Sequence, residues 1–138
     1  MTKKVFIDSD IILDLALFRA PWVHYSKHVL ALAENGLIQG LTSLNCVANI
    51  HYILKKVRGE SDTRFFISQI LRYISVLSMD HRTVLEALES DFTDFEDALQ
   101  YGAAQRNQCD CIVTRNIGDY KTAQMDVQTP EEFLRLLG

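Results

Sequence analysis

Short apolar runs alternate along this chain with longer stretches whose apolar positions recur at helical spacing. Lys4 to Ile7 reads as a first buried strand, and "IILDLALF" opens a helix directly after it. Pro21 fits the first turn of a second helix, which Trp22, Ser26, Val29, Leu30 and Ala33 carry forward and Gly36 ends. "LIQGLTS" is a short strand, and Leu44 to Val57 an amphipathic helix closed near Gly59. A helix over Phe65 to Tyr73, a strand in "ISVLSM", and helices over Asp80 to Leu88 and Phe95 to Arg106 follow. "CDCIVT" and "MDVQT" are the remaining strands. In "TPEEFLRLL", Thr129 is the N-cap, Pro130 the first helical residue and Glu132 the partner of a capping box.

Strands alternating with helices predict a three-layer α/β/α sandwich on a mostly parallel sheet, as one domain over residues 1–138. Ligands in such folds bind beyond the carboxyl ends of the strands. That rim receives Asp8 and Asp10 after the first strand, Ser43 after "GLT", and Thr114, Arg115 and Asn116 after "CIV".

Composition narrows the class. With 138 residues, 48% hydrophobic and 23% charged, the chain can bury a genuine core. No apolar run approaches the ~18 residues of a membrane helix, and the N-terminus lacks the apolar segment of a signal peptide. Three cysteines, an odd number, fit a reduced, cytoplasmic protein better than a disulfide scaffold. A net charge of −4 argues against loose coating of nucleic acid but not against a nuclease, whose metal-binding acids are themselves negative.

The acids carry the chemistry. Carboxylates beside a core are costly unless something compensates them. In "SDFTDFEDALQYGAA", Thr93 and Glu96 fit a capping box that makes Asp94 the first helical residue and sets Asp97 one turn deeper. Complementing the helix dipole accounts for Asp94 and Glu96, and less well for Asp97, which adjoins the apolar Ala98 and Leu99. "IVTRNIGDYK" adds Asn116 and Asp119 to the same rim, although Asn, Gly and Asp also make ordinary turns. Two carboxylates about 4 Å apart repel by roughly 4 kcal/mol at an effective dielectric of 20. Three acids gathered at one sheet edge therefore call for a divalent cation or a raised pKa. Oxygen ligands suit Mg²⁺ or Mn²⁺, and phosphodiester hydrolysis is their natural chemistry.

"FIDSDIILDL", "LTSLNCVANIHYIL", "DFEDALQY" and "IVTRNIGDYK" together resemble the successive motifs of the PIN domain, including VapC-type toxin ribonucleases. The resemblance implies a metal-dependent endoribonuclease cutting single-stranded RNA, with an antitoxin partner and a homodimeric state. It makes Asp8 the first metal-binding acid and Asp97 the third, with Thr114 and Asn116 near the metal. Asn49 stands where the family usually has a glutamate, and Asn116 where it has its fourth acid. Asp119 is placed to substitute for that fourth acid. Asp10 adds a carboxylate where the family often has Asn.

Other readings are open. "VFIDSDIIL" also fits the start of haloacid-dehalogenase-like phosphatases, with Asp8 as nucleophile and Asp10 as general acid. "IGDYKTAQ", however, has no second acid four residues on. From another class, a PIN fold weakened by its amides could bind RNA or protein without cutting. His24 and His28 have two-histidine zinc spacing without the glutamate of that motif, and His51 reads as a packed helix residue. Cys109 and Cys111 read as buried thiols facing one side of a strand. Lys55, Lys56, Arg58 and Arg64 form the basic concentration. They are either a solvated helix end or, with Arg115, a phosphate-contacting rim beside the acids.

Overall fold

The computed structural model describes residues 2–120 and 123–137; Lys121, which ends "IVTRNIGDYK", and Thr122, which follows it in "IGDYKTAQ", lie outside the described residues. Strands β1 (Lys4–Ile7), β2 (Gln39–Thr42), β3 (Ile74–Val76), β4 (Cys111–Val113) and β5 (Asp126–Gln128) form one sheet in the order β3-β2-β1-β4-β5. Every pairing is parallel, so the sheet is wholly rather than mostly parallel.

Burial on both faces explains the unbroken apolar runs. Val5 and Ile7 of β1, with Cys111 and Val113 of β4, pack on one side against α1 (Ser9–Leu17) and α2 (Val23–Glu34). The same side receives Ile50 of α3 (Leu44–Arg58), Ile70 of α4 (Glu60–Ile70) and Phe133 of α7 (Pro130–Leu137). Phe6 and Ile112 face the other side, against Ala103 and Ala104 of α6 (Phe95–Arg106) and Tyr120. Helix α5 (His81–Glu89) lies beyond, its Ala87 packed with Ala98 and Leu99.

Several expected boundaries move. Helix α4 begins at Glu60 rather than Phe65, because Gly59, at φ +82°, turns the chain out of α3 and straight into a new helix. Pro21 lies in the turn ahead of α2, which starts at Val23. Strand β4 starts at Cys111, so the alternation does not reach back to Cys109; the two thiols enter opposite core clusters instead of one face. The C-terminal capping box forms as expected: Glu132 N donates to Thr129 Oγ1 at 3.1 Å, and Thr129 N to Glu132 Oε1 at 2.9 Å.

Candidate active site

The chain leaves β1 for β2 and β3 on one side, then crosses back to place β4 on the other. The carboxyl ends of β1 and β4 therefore flank the point where strand order reverses, the crevice that binds ligands in open α/β sheets. Asp8 sits there as the N-cap of α1, its Oδ1 accepting from Ser9 N at 2.7 Å and its backbone N donating to Val113 O at 3.0 Å. Its other carboxylate oxygen accepts from the hydroxyls of Thr114 at 2.9 Å and Tyr120 at 3.3 Å. Cys46 Sγ approaches Oδ1 at 3.6 Å and is held by Gln100 Oε1 at 2.9 Å. Burial pushes the Asp8 carboxyl above its ordinary pKa, and these donors pull it only part of the way back.

Asp10, in the first turn of α1, fastens the loop after β4. Its Oδ2 accepts from Arg115 N at 2.9 Å, Asn116 Nδ2 at 3.3 Å and Thr114 Oγ1 at 3.5 Å. Its Oδ1 is buried with no partner among the described residues. Burial first, then the charge of Asp8, raises its pKa to about 6. Asp97 is raised to about 7, by burial and then by the charges of Asp94, Asp119, Asp8 and Glu96 in that order. Acids far apart in sequence thus act on Asp97 through their charges. Asp94 is the N-cap of α6 and accepts from Asp97 N at 3.0 Å; the expected Thr93–Glu96 box gives way to this cap. Asp119 is exposed in the 3₁₀ turn Ile117–Tyr120.

Asn49 is exposed, and its amide donates to Ser9 Oγ at 3.1 Å, which sets it beside the start of α1. The basic residues lie elsewhere. Arg58 donates to the carbonyl of Ala16, near the far end of α1, and so serves as a cap for that helix. Ser9 and Ala16 are separated by about 10 Å of helix at 1.5 Å per residue. Lys56 rests over the Tyr52 ring at 4.0 Å, and Arg64 pairs with Glu60. The expectation that Lys55, Lys56 and Arg58 form a rim beside the acids is therefore corrected, because α3 runs alongside α1 and carries its last turn away from Asp8.

Arg115 is also not a free rim cation. Its Nε and Nη2 donate to Asp14 Oδ2 and Oδ1 at 2.9 and 3.0 Å. Asp14, wholly buried, also accepts from Arg19 Nε at 3.0 Å and Ser26 Oγ at 2.9 Å. Cys46, Gln100, Tyr120 and Asp14 are thus site or supporting residues that the motifs did not reveal. The one available signal was Asp14 itself, an acid on the apolar face of "IILDLALF".

Among the described residues, no three Asp, Glu, His or Cys side chains form a closed metal-ligand group, and none of Asp8, Asp10 and Asp97 is in an ion pair. The donor set nevertheless fits a hard cation. It consists of carboxylate oxygens, Asp8 raising the pKa of both Asp10 and Asp97, with one buried Asp10 oxygen left without a partner among the described residues.

A parallel α/β sheet with an acidic, oxygen-only crevice at its switch point defines a candidate metal-dependent hydrolase. The chain belongs to the PIN domain family, whose model matches residues 4–118. Ribonuclease VapC1 of Aquifex aeolicus is 27% identical over 140 residues, covering 96% of this chain and 94% of that protein. A toxin–antitoxin complex from Klebsiella pneumoniae superposes with a TM-score of 0.70 at 22% identity, covering 91% of this chain and 97% of that one. Mycobacterium tuberculosis VapC20, a sarcin-ricin loop cleaving toxin, does so with a TM-score of 0.67 at 13% identity, covering 88% and 95%. The two structural likenesses speak to the fold. PIN-domain ribonucleases are generally dependent on divalent metals. No described helix is long and apolar enough to cross a membrane.

Proposed function

We propose that this chain is a divalent-metal-dependent endoribonuclease for single-stranded RNA, acting as the toxin of a toxin–antitoxin pair. The observation that carries the reading is that the charges of Asp8 and Asp119, far from Asp97 in sequence, both act on its carboxyl, with no cation paired to Asp8 or Asp97 among the described residues. Asp8, Asp97 and Asp119 would hold Mg²⁺ or Mn²⁺, with Asp10 Oδ1 and the Asn116 carbonyl completing the oxygen set. The bound ion would supply charge to the scissile phosphate and acidity to a water. Thr114 and Tyr120 fix the Asp8 carboxylate through their hydroxyls, so it is oriented before any ligand arrives. Asp94 holds the first turn of α6 and thereby the placement of Asp97.

Relative to the family pattern, the carboxylate expected at position 116 has moved to position 10. Asn116 Nδ2 lies 3.3 Å from Asp10 Oδ2, so the pair keeps one acid and one amide with their places exchanged. The exchange keeps one carboxylate between these two positions even though position 49 stays uncharged, which favours catalysis over a binding-only PIN fold. The phosphatase reading gives way to PIN membership.

The same proposal includes a single domain, a cytoplasmic setting in keeping with three free cysteines, an antitoxin, and a homodimer. Exposed Tyr52, Val57 and Phe65 on α3 and α4 leave apolar surface for protein partners. The test is cleavage of an unstructured RNA with Mg²⁺, with Mn²⁺ and with chelator. Metal-dependent cutting supports the reading, whereas RNA binding without cutting under every condition would reduce the chain to a binding module.

A further inference from the structure

Beside the acids lies a pocket of about 280 Å³ lined by Trp22, Tyr25, Arg115, Thr129, Pro130 and Glu131. Ligand pockets start at roughly 300 Å³, so this one suits a single ring system. Its walls are joined to the crevice through one residue: the Arg115 amide binds Asp10, while the Arg115 guanidinium lies over the Trp22 ring at 4.1 Å. Thr114, which binds Asp8, is one Cα step of about 3.8 Å away. Asp14 holds the guanidinium on two nitrogens, presenting it as a fixed flat surface next to an indole that is 45% exposed.

From this arrangement, and resting on the ribonuclease reading, we propose that the pocket is a nucleobase subsite. It takes the base of a nucleotide adjacent to the phosphate at the acids and prefers guanine. A stack of indole and guanidinium offers the surface on which unpaired bases lie. Beside the hydroxyls of Tyr25 and Thr129, the pocket is lined by one acid: Glu131, exposed at the start of α7, stands close enough to Tyr25 to raise the phenol's pKa. With Arg115 already neutralised by Asp14, a carboxylate repels phosphate and accepts from N–H donors. Guanine alone presents two adjacent donors, N1–H and N2–H₂, matched to both carboxylate oxygens. Adenine and cytosine each set an acceptor beside their amino group, and uracil flanks its one donor with two carbonyls.

Trp22 is the chain's one tryptophan, so its fluorescence reports on this pocket directly. The metal-free full-length chain is titrated with guanosine, adenosine, cytidine, uridine and inorganic phosphate. Saturable change with guanosine, ~5- to 150-fold tighter than with the other nucleosides, is the range expected of a good bidentate base contact. Glu131→Gln should erase that preference while leaving the tryptophan signal in place. A flat response to every nucleoside, an equal response to phosphate, or an unchanged preference in Glu131→Gln would overturn the proposal. Mapping of cut positions in a random-sequence RNA gives the second arm. Guanine should be enriched at a fixed distance from the cut in the wild type and lost in Glu131→Gln. Guanosine binding without any RNA cleavage leaves the pocket standing and removes the nuclease reading. Cleavage with no guanine enrichment and a flat titration does the reverse.

Discussion

Helix α1 carries two kinds of buried acid. Asp14, with no exposed surface, is met by two arginines and a serine hydroxyl. Among the described residues, Asp8, at 8% exposure, receives only neutral donors, and Asp10 keeps one carboxylate oxygen unpartnered. Burial of an ionised carboxylate costs several kcal/mol after relaxation, and among the described residues the fold answers that cost with paired cations at Asp14 and not at Asp8. The difference separates structure from chemistry. Asp14 ties α1, α2 and the loop after β4 together, whereas among the described residues no cation pairs with Asp8 or Asp10, and the Arg115 charge offsets Asp10 only in part.

The sharpest way to break this comparison is to neutralise one acid of each kind. Asp8→Asn should lower metal-dependent RNA cleavage by roughly a thousandfold, the several kcal/mol that a bound cation's charge contributes. It should leave thermal melting of the metal-free protein unchanged or raised; equal cleavage rates in the two proteins would place Asp8 outside the mechanism. Asp14→Asn should instead destabilise the fold by about 3–5 kcal/mol, because Arg115 and Arg19 lose their buried countercharge. Urea unfolding reads that loss, and a shift below about 1 kcal/mol would count the network as surface-like.

Exchange of partners sharpens the picture further. Asn116→Asp alone would set two carboxylates where Asn116 Nδ2 and Asp10 Oδ2 now stand 3.3 Å apart. That contact is worth roughly 5 kcal/mol of repulsion at an effective dielectric of 20, before relaxation and cation binding. Asp10→Asn alone should weaken divalent binding. The double variant Asp10→Asn/Asn116→Asp should recover most metal-induced stabilisation, measured by melting with Mg²⁺ and Mn²⁺. Failure of the double variant to improve on both single ones would mean that the two positions do not share one charge.

The uncancelled acids also fix a pH dependence. An unfolded aspartate releases its proton near pH 3.9, while Asp97 in the fold does so at about 7 and Asp10 at about 6. Between those limits the folded state binds more protons than the unfolded state. Metal-free stability should therefore fall as pH rises from about 4 to about 7, and Asp97→Asn should flatten the slope. Urea midpoints in chelator at about pH 5 and about pH 8 test the sign. The smallest effect belongs to Asn49→Glu. At an exposed position beside Ser9, one more carboxylate should add about 1 kcal/mol to metal-induced stabilisation, with a matching gain in cleavage. No added shift in melting with Mn²⁺ would remove residue 49 from the site.

Much of this was legible in the residues taken in order. The β1 run with Asp8 behind it, the pattern of "CIVT" and the Thr129–Glu132 box needed only local periodicity and capping, which neighbouring residues decide. The ordered motifs then named Asp8, Asp97 and Asp119, and in the fold the charges of Asp8 and Asp119 both act on Asp97. Cys46, Gln100 and Tyr120 stayed hidden because each sits in an apolar helical or turn pattern and reaches Asp8, directly or through a neighbour, only across the core. The basic stretch at the end of α3 misled for a related reason. Sequence shows that charges are clustered, while the direction of α3 along α1 decides where the cluster points.

The sequence by itself determined which segments are strands and helices, that acids stand at their ends, and which family the chain resembles. Those features depend on spacing within a few residues. The tertiary structure alone decided that Asp14 meets two arginines and that Asp8, among the described residues, meets none. Arg115 follows Asp14 by 101 residues and reaches it because β4 pairs with β1. A charge is compensated by whatever lies within a few ångströms, and sheet order, not chain order, sets those neighbours.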